Sequence, residues 1–550
     1  MKKKIFIGVA WPYVNGELHI GHLAGYLFPA DIFARFQRLL KNDLLMVSGS
    51  DCHGTPTTLE AEKKGVSPAQ IVRLYHQKQK RLFKKIKLSF DLFTKTTTRN
   101  HREIVQEFFL RAYEKGFIFK EKTFQYYSER EKRFLPDRYV EGICPFCGFS
   151  EARSDQCDQC QRILKPGDLK KPYSKISKER VVLKKTEHYF FDWQKLQLFF
   201  ERYLKERSCF WRPWIEKEAR SWLKKGFKPR AITRDLKWGV KIPFSKLPQD
   251  FWLENKEEKR FYVWFEAVIG YLSASIEWAK RNERNWKDFW YSPKALHYYF
   301  MGKDNLVFHA FFWPGQLYLF DQNIHLPDFL IINQFLNLEG KKFSKSRHVF
   351  IDAGSIVEKF GLDPVKFYLT SILPEKNDTS FSWNDFYFFY HNVLISNYAN
   401  FIYRTLNLAK GKSGFSPLFL EKKVCREALE IIKKAKDFLK KCYFKNYSQL
   451  IIKLSDLGNK YLQEKKPWEE KEEKRKKIIL SNALFFILSL MLIGKPFLIE
   501  TDKKLSSMMG LKINLWPENE KEFLFSLLKK VKIKKVRPLF EKKKREDFFL

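Results

Sequence analysis

The stretch GELHIGHLAGY occupies residues 16–26 and follows an apolar run, IFIGVA, at residues 5–10. A short apolar run bounded by turn residues predicts a buried strand, and the apolar spacing over residues 21–40 predicts a helix. Residues 44–49 predict a second buried strand. The order strand, helix, strand is typical of a parallel sheet, so this part of the chain indicates an α/β fold.

His19 and His22 lie three residues apart, on one face of the helix that this stretch predicts. Three interpretations compete: a metal pair, two surface histidines, or two donors to an anion at the start of a helix. The stretch contains no complete set of metal ligands, which disfavours the first. A strand, a glycine and a helix start together form a typical phosphate-binding corner, which supports the third.

The composition of the whole chain sets limits on its function. At 550 residues we expect two to four domains. The 103 Lys and Arg against 63 Asp and Glu give a formal charge of +40, which attracts polyanions such as nucleic acid. A general drift of the composition toward lysine explains part of this excess, so charge alone identifies no partner.

Two apolar segments raise the question of export or membrane insertion. The run near the N-terminus is short and has no small-residue cleavage site, so we expect no export and a cytoplasmic protein. Residues 478–494 approach the ~17-residue lower limit for crossing a bilayer. Polar residues dilute this run, and Gly494 and Pro496 end it, so we expect a buried bundle helix and no membrane partner.

The eight cysteines of a chain without an export signal should stay reduced, so grouped cysteines indicate metal binding. Cys144, Cys147, Cys157 and Cys160 form two CxxC pairs. Four thiolates at this spacing can hold one tetrahedral Zn²⁺ and leave no open position for water. We therefore predict one structural zinc ion.

A second basic motif lies far downstream, where residues 338–347 read LEGKKFSKSR. In a lysine-rich chain this motif could be a solvated turn. The HIGH sequence at residues 19–22 together with KFSKS at residues 342–346 nevertheless resembles the paired signature of the class I aminoacyl-tRNA synthetases. The resemblance implies that His19, Gly21, His22 and Lys345 bind ATP. It also implies that His19, His22, Lys342 and Lys345 stabilise the charge that builds on the departing pyrophosphate.

Five further motifs resemble the methionyl-tRNA synthetases: AWPYVNG at 10–16, SDCHGTP at 50–56, TRD at 233–235, FYVWFEAVIGY at 261–271 and GKDNLVFHA at 302–310. The resemblance implies that the methionine pocket is formed by Ala10, Trp11, Tyr13, Asp51, Trp264, Ala267, Tyr271 and His309. Aromatic edges and a shaped slot suit a flexible thioether. Asp51 would hold the ammonium group, and Arg234 would act catalytically, near the reacting carboxylate and phosphate.

Alternatives exist for these residues. Trp264 and Tyr271 could be core aromatics, and Asp51 and His53 could cap the helix that follows them. Phe343, Glu266 and Val268 depart from the residues that many relatives have, namely Met, Asp and Pro. We expect the first change to be tolerated, and the other two affect the shape of the pocket wall.

The resemblance also implies an anticodon site at Asn400, Arg404 and Trp468. Trp468 follows Pro467, which ends the preceding predicted helix, and the alternative role for this indole is to close the helix bundle. Aromatic, amide and guanidinium groups are those that recognise unpaired RNA bases.

Taken together, these features predict a Rossmann-like parallel-sheet domain split by a zinc-binding insertion, followed by an all-α anticodon-binding bundle. The predicted parts are residues 1–115 and 230–325 (the two halves of the catalytic domain), 116–229 (the insertion), 326–385 (the KFSKS loop and stem-contact region) and 386–550 (the helical domain).

The implied partners are ATP with Mg²⁺, L-methionine and tRNA(Met), including the initiator. Since no module beyond the helical domain is evident, we expect a monomer.

The remaining alternatives are a synthetase for isoleucine, leucine, valine or cysteine, and a non-catalytic RNA-binding protein. The enzymes for branched residues carry a large editing insertion, because one methylene group discriminates weakly between substrates. The cysteine enzyme places its zinc in the substrate pocket, whereas the four-cysteine set here is closed. A protein that only binds RNA has no reason to keep both histidines and both lysines.

Overall fold

The computed structural model describes residues 2–154, 157, 159, 160, 162, 164–341 and 350–548. Its strands are β1 (Lys4–Val9), β2 (Asp43–Ser50), β3 (Leu92–Lys95), β4 (Ile118–Ser128), β5 (Arg133–Phe134), β6 (Val140–Ile143), β7 (Ala152–Arg153), β8 (Lys170–Ser174), β9 (Val182–Phe191), β10 (Arg230–Ala231), β11 (Thr233–Asp235), β12 (Lys259–Phe261), β13 (Ala295–Gly302), β14 (Phe329–Asn333), β15 (Leu336–Leu338) and β16 (Thr379–Phe381).

Its α-helices are α1 (Ile20–His22), α2 (Phe28–Leu39), α3 (Thr55–Lys63), α4 (Pro68–Lys85), α5 (Arg99–Glu114), α6 (Gln197–Arg207), α7 (Pro213–Lys225), α8 (Val263–Glu266), α9 (Gly270–Arg281), α10 (Lys287–Trp290), α11 (Trp313–Phe320), α12 (Ala353–Phe360), α13 (Leu362–Ser371), α14 (Trp383–Phe388), α15 (Asn400–Ala409), α16 (Lys422–Lys440), α17 (Phe444–Lys465), α18 (Glu473–Gly494), α19 (Ile499–Met509) and α20 (Glu520–Lys530). A π-helical turn, Leu23–Leu27, joins α1 to α2.

The centre of the fold is a parallel sheet with the strand order β14-β13-β1-β2-β3. Its inner strands β1 and β2 are mostly apolar and buried along nearly their whole length, as a parallel sheet covered by helices requires. The strand order reverses direction between β1 and β13, and ligands bind in such sheets outside the carboxyl ends of the strands at that point. The predicted α/β fold with a parallel sheet is confirmed.

One local prediction is wrong. The aromatic and β-branched run FYVW at residues 261–264 predicts a strand, but β12 ends at Phe261 and helix α8 begins at Val263. The reason is that β12 pairs with β11, which is only three residues long and ends its pairing at Thr233 opposite Phe261. Beyond Phe261, β11 offers β12 no further residues for strand pairing. The chain turns into helix α8 instead, and Trp264 therefore lies on a helix.

Between the two halves of the central sheet the chain forms antiparallel structure. β4 and β9 make a long ribbon, and β6, β7 and β8 make a small sheet that leads into the cysteine pairs. This region rests on helix α3: the Tyr139 hydroxyl lies 2.8 Å from Thr58 Oγ1, and Arg133 pairs with Glu62 at 2.8 Å. The insertion is thus attached to the helix that directly follows the Asp51 segment.

The C-terminal part is helical from α14 to α20. Helix α18 is long and apolar enough to cross a membrane by length and composition, and 89% of its apolar window is buried inside the protein. It packs against α16 and α17, as a core helix of a bundle does. The bundle also contacts the catalytic part, because the Trp516 ring meets Phe36 of α2 edge-on at 5.3 Å.

A buried ion pair joins α2 to α13. Asp31 and Lys366 are both fully buried, and Lys366 Nζ lies 2.8 Å from the Asp31 carboxylate, which also accepts a bond from Arg35 at 2.9 Å. Burial raises the pKa of Asp31, but the two cations outweigh that effect and lower it to about 2. The pKa of Lys366 is lowered as well, first by burial.

Candidate active site

The two histidines start the helix at the carboxyl edge of the sheet. His19 is the N-cap of α1, and its Nδ1 accepts a bond from the Gly21 amide at 3.1 Å. His22 Nδ1 accepts from the His19 amide at 3.2 Å. Because both Nδ1 atoms accept, both neutral rings carry their proton on Nε2. Each ring therefore carries its N–H group on Nε2, beside the positive end of a helix.

The loop with Lys342 and Lys345 lies outside the described residues, but both of its flanks are placed. On one side Lys341 pairs with Leu338 at the end of β15. On the other side the Ile20 amide donates to the Ile351 carbonyl at 3.1 Å, and the Ala353 amide donates to the Leu18 carbonyl at 2.9 Å. The segment that follows the loop is therefore bonded directly to the residues around His19.

Trp11 occupies a slot that two glycines keep open. A Cβ atom added at Gly49 would lie 2.3 Å from the Trp11 ring, and one added at Gly270 would lie 2.7 Å from it. No other residue type fits at either position without moving the indole. The sequence does not predict this slot, because the two glycines are far apart in the chain and only the fold brings them to the same indole.

Tyr271 and His309 form a buried pair, with the Tyr271 hydroxyl 2.9 Å from His309 Nε2. His309 Nδ1 lies 3.0 Å from the Asn305 carbonyl and must donate to it, so Nε2 accepts the tyrosine proton. Burial lowers the pKa of His309 to about 4, which keeps the ring neutral. Trp264, by contrast, is 43% exposed, and its ring meets Phe308 at 5.2 Å, so it is not a core residue.

Most of the remaining pocket residues lie just beyond the ends of β1 and β2. The Ala10 amide donates to the Phe300 carbonyl of β13 at 2.9 Å. The backbones of Tyr13 and Asp51 form an isolated parallel β-bridge. A Cβ atom added at Gly54 would lie 2.5 Å from the Tyr13 ring. Ala267 directly follows α8. The structure thus brings Ala10, Trp11, Tyr13 and Asp51 to the carboxyl edge of the sheet, with Tyr271 packed under β1 at Gly8.

Asp51 is 4% exposed, and within the part of the chain that the structure describes its Oδ1 has no hydrogen-bond partner. Burial, together with the charge of Glu266, raises the pKa of Asp51 well above its usual value. The alternative role as a helix cap is not observed, because α3 has Gly54 as its N-cap and no side-chain cap. A buried carboxylate oxygen with no partner among the described residues is suited to accept a hydrogen bond from a charged group of a ligand.

Glu266 has a central place in the site, although the sequence alone indicates only a change in the pocket wall at this position. It is fully buried, and its two oxygens lie 3.0 Å from His53 Nδ1 and 2.7 Å from His101 Nε2. Burial would raise the pKa of Glu266, but the two histidines lower it to about 2. The longer side chain of glutamate spans two histidines from separate elements, and this pairing fixes the His53 end of the Asp51 segment.

Arg234 lies on β11 with its guanidinium 3.9 Å from the centre of the Tyr262 ring. Its Nη1 donates to the carbonyl of Thr233 at 2.9 Å. Tyr262 immediately precedes α8, which carries Trp264, so Arg234 borders the wall of the pocket.

The four cysteines converge as the spacing predicted. Their sulfur atoms all lie within 4.8 Å of one another, with 3.8 Å between Cys144 and Cys160 and 3.6 Å between Cys147 and Cys157. Zn–S bonds of about 2.3 Å at tetrahedral angles place sulfurs about 3.8 Å apart. Gly148, at φ 75°, makes the turn after the first pair. The set is consistent with a closed, structural zinc site.

The structure brings together two residues of the predicted anticodon site, Arg404 and Trp468, and places the third, Asn400, on the same helix as Arg404. Asn400 and Arg404 lie one turn apart on α15, and the Arg404 guanidinium lies 4.8 Å from the centre of the Trp468 ring. Trp468 is 39% exposed, so it does not close the bundle as a core tryptophan. Helix α17 ends at Lys465, and Lys466 takes a left-handed conformation just before Pro467.

Two family models match the chain. One, described as "tRNA synthetases class I (M)", matches residues 5–406, and the other, described as "Anticodon binding domain of methionyl tRNA ligase", matches residues 414–548. A methionine–tRNA ligase of Thermomicrobium roseum is 41% identical over 533 residues, which are 94% of this chain and 88% of that protein. One of Roseiflexus sp. is 38% identical over 534 residues, 94% of this chain and 89% of that protein.

Solved structures agree in fold. The structure of Mycobacterium tuberculosis methionyl-tRNA synthetase in complex with methionyl-adenylate superposes with a TM-score of 0.76 at 22% identity, over 98% of this chain and 100% of the other. The free form of the same enzyme superposes with a TM-score of 0.68 at 20% identity, over 99% of each chain.

Proposed function

Since the chain belongs to the class I methionyl-tRNA synthetase family, we propose that it joins methionine to its tRNA in two steps through methionyl-adenylate. In the first step the methionine carboxylate attacks the α-phosphate of ATP, and pyrophosphate leaves. In the second step the acyl group passes to the terminal adenosine of tRNA(Met), and AMP leaves.

In the activation step the histidine turn binds the triphosphate. His19 and His22 present their Nε2–H groups, and Gly21 allows close approach of the backbone. Negative charge moves onto the pyrophosphate as the bond breaks, so donors aimed there favour the transition state over the ground state. Lys342 and Lys345 are assigned to the same task from the sequence motif alone. Mg²⁺ would enter with the phosphates of ATP.

Methionine lies across the carboxyl edge of the sheet. Asp51 accepts the ammonium group, which supplies a charged donor to Oδ1, a buried atom with no hydrogen-bond partner among the described residues. Trp11, Tyr13, Trp264, Tyr271 and His309, with Ala10 and Ala267, enclose the thioether. Arg234 approaches the reacting carboxylate and phosphate from β11, and its stacking on Tyr262 limits its freedom.

The zinc knuckle has no step in this chemistry. Its four thiolates leave no position for substrate, and the insertion that carries it rests on α3 through Tyr139 and Arg133. Zinc therefore stabilises the insertion and the helix that follows Asp51.

For tRNA recognition, Trp468 stacks on an unpaired anticodon base, while Asn400 and Arg404 bond to base edges. We further propose that the protein acts in the cytoplasm as a monomer on both initiator and elongator tRNA(Met), with its parts divided at the boundaries predicted from the sequence. Light scattering of the purified protein, with and without tRNA, measures its molar mass and so tests the proposed monomeric state.

The observation that carries the function is the joint match of the two family models, which together span residues 5–406 and 414–548. The test is exchange of labelled pyrophosphate into ATP with methionine, isoleucine, leucine, valine or cysteine as the added amino acid. Exchange that depends on methionine supports the proposal. Equal or greater exchange with another amino acid, or none with any, contradicts it.

A further inference from the structure

A proline leaves a gap in the hydrogen bonding of the helix that carries the two histidines. Pro29 is the second residue of α2 and has no N–H, so position 29 donates nothing to the carbonyls four and five residues before it. Those carbonyls belong to Gly25 and Ala24, in the π-helical turn directly after His22. Both residues are buried, so solvent does not readily supply the missing donor.

Asn333 supplies that donor from another element. It is the last residue of β14 and is 1% exposed. Its Nδ2 lies 2.9 Å from the Gly25 carbonyl and 3.4 Å from the Ala24 carbonyl. The end of a strand at the carboxyl edge of the sheet thus completes the backbone bonding of the helix that begins with the histidine turn.

Arg212 holds Asn333 in this orientation. Its Nη1 donates to Asn333 Oδ1 at 2.9 Å, which requires the other end of the amide to be the donor. The same Nη1 lies 2.9 Å from the Ile332 carbonyl. A flipped amide would place an N–H group against a guanidinium, so Arg212 specifies one of the two amide orientations.

Arg212 is itself held by further bonds at its second terminal nitrogen. Nη2 donates to the Cys442 carbonyl at 2.8 Å and lies 3.7 Å from the Glu375 carboxylate. That carboxylate accepts the amide of Phe444, at the start of α17, at 2.7 Å. The guanidinium is thus fixed by segments that take no direct part in ATP binding.

We propose that Asn333 and Arg212 are positioning residues for the His19–His22 turn: Asn333 completes the helix where Pro29 cannot, and Arg212 sets the direction of the Asn333 amide. The inference rests on the proposed role of the two histidines in ATP binding. Neither residue touches the reacting atoms, so their effect is on the rate of activation and the use of ATP. Catalytic groups displaced by about 1 Å can lose about 10²-fold in rate.

The first test is Asn333→Asp, measured by methionine-dependent pyrophosphate exchange. The aspartate still accepts from Arg212 but cannot donate to Gly25. We expect kcat to fall about tenfold or more, because the histidine turn loses its support, while KM for methionine changes by less than about twofold. Asn282→Asp is the matched control, because Asn282 also donates to a helix carbonyl, that of Trp278 at 2.8 Å, away from the histidines.

The decisive test is to return the donor to the helix itself. Pro29→Ala restores an N–H at position 29, so the double variant Pro29→Ala/Asn333→Asp should recover most of the lost kcat. If Asn333→Asp does not fold, Arg212→Lys is measured in its place. We expect this variant to lose less kcat than Asn333→Asp would, with the KM for methionine unchanged. A kcat within twofold of the parent in Asn333→Asp overturns the inference, and so does a loss that Pro29→Ala leaves unchanged. A parent protein without exchange contradicts the proposed function instead.

Discussion

At the scale of single residues, Asp51 carries the clearest chemical assignment. Asp51→Asn keeps the shape of the side chain and removes its charge. Hydrogen bonds to charged groups contribute about 1.5–3 kcal/mol, so KM for methionine in pyrophosphate exchange should rise about 10- to 100-fold. KM for ATP should stay within about twofold, since the carboxylate has a contact with the amino acid alone in the proposed site.

The control for this prediction is Glu277→Gln, a change of another largely buried carboxylate, which bonds to Thr94 and Arg281 outside the pocket. An Asp51→Asn protein whose methionine KM matches that of the control would show that the ammonium group is bound elsewhere.

The residues of the site differ in how far the sequence predicts them. The spacing of the cysteines predicts their chemistry directly, whereas the histidines and Asp51 lie in short motifs that indicate their roles through the family resemblance. Glu266 does not, because its partners His53 and His101 are more than 160 positions away and only the fold brings them together. Asn333 and Arg212 have the same property: each makes its contacts with segments distant in the chain.

At the scale of elements, the Asp31–Lys366 pair should make the contact between α2 and α13 sensitive to acid. The pKa of Asp31 is about 2 in the folded protein against 3.8 ordinarily, so its contribution is complete above about pH 4 and is lost as pH falls toward 2. A shift of this size corresponds to about 2 kcal/mol.

Asp31→Asn tests this contribution. The change leaves Lys366 buried without its anion, which costs about 3–5 kcal/mol near neutral pH. We expect a lower guanidinium midpoint for the first unfolding transition at pH 7, and a smaller difference from the parent at pH 3. Glu103→Gln, which breaks only the exposed pair with Arg99, should change little. A difference that is constant with pH would contradict the prediction.

The zinc knuckle is a second element whose contribution can be measured. Cys157→Ser replaces one ligand of a closed site, so bound zinc should fall well below one equivalent and the thermal midpoint should decrease. Cys209→Ser, at an exposed cysteine outside the cluster, should keep its zinc. The prediction fails if folded Cys157→Ser retains a full equivalent by metal analysis.

At the scale of the whole molecule, pyrophosphate exchange and tRNA charging should respond differently to a change in the helical C-terminal part. Trp468→Ala removes a stacking surface worth about 1–3 kcal/mol per base, so charging of tRNA should weaken about 10- to 100-fold. Pyrophosphate exchange needs no tRNA and should be nearly unchanged. Equal loss in both assays would assign Trp468 a structural role.

Leu418→Ala is the control in the same helical part, since Leu418 is 93% exposed and carries no proposed contact. It should leave both reactions unchanged. No loss of charging in Trp468→Ala would remove this residue from the anticodon site.

Most of the architecture is predictable because it depends on local patterns. Apolar runs place β1 and β2, and helical periodicity places the C-terminal bundle with its break at Pro467, shortly after α17 ends at Lys465. The end of β12 was not predictable, because it depends on the length of its partner strand. Likewise the sequence contains no signal for the contact of Trp516 with α2, which depends on how the bundle docks.

The apolar helix α18 has a consequence for how the chain is made. During synthesis this segment leaves the ribosome with the composition of a membrane anchor. Its packing partners α16 and α17 precede it in the chain and therefore emerge first, ready to cover it. A circular permutant that moves α18 ahead of these partners would expose the same helix to the membrane-insertion machinery during synthesis. The order of the helices along the chain therefore protects the nascent protein, whereas the packing of the finished fold does not depend on that order.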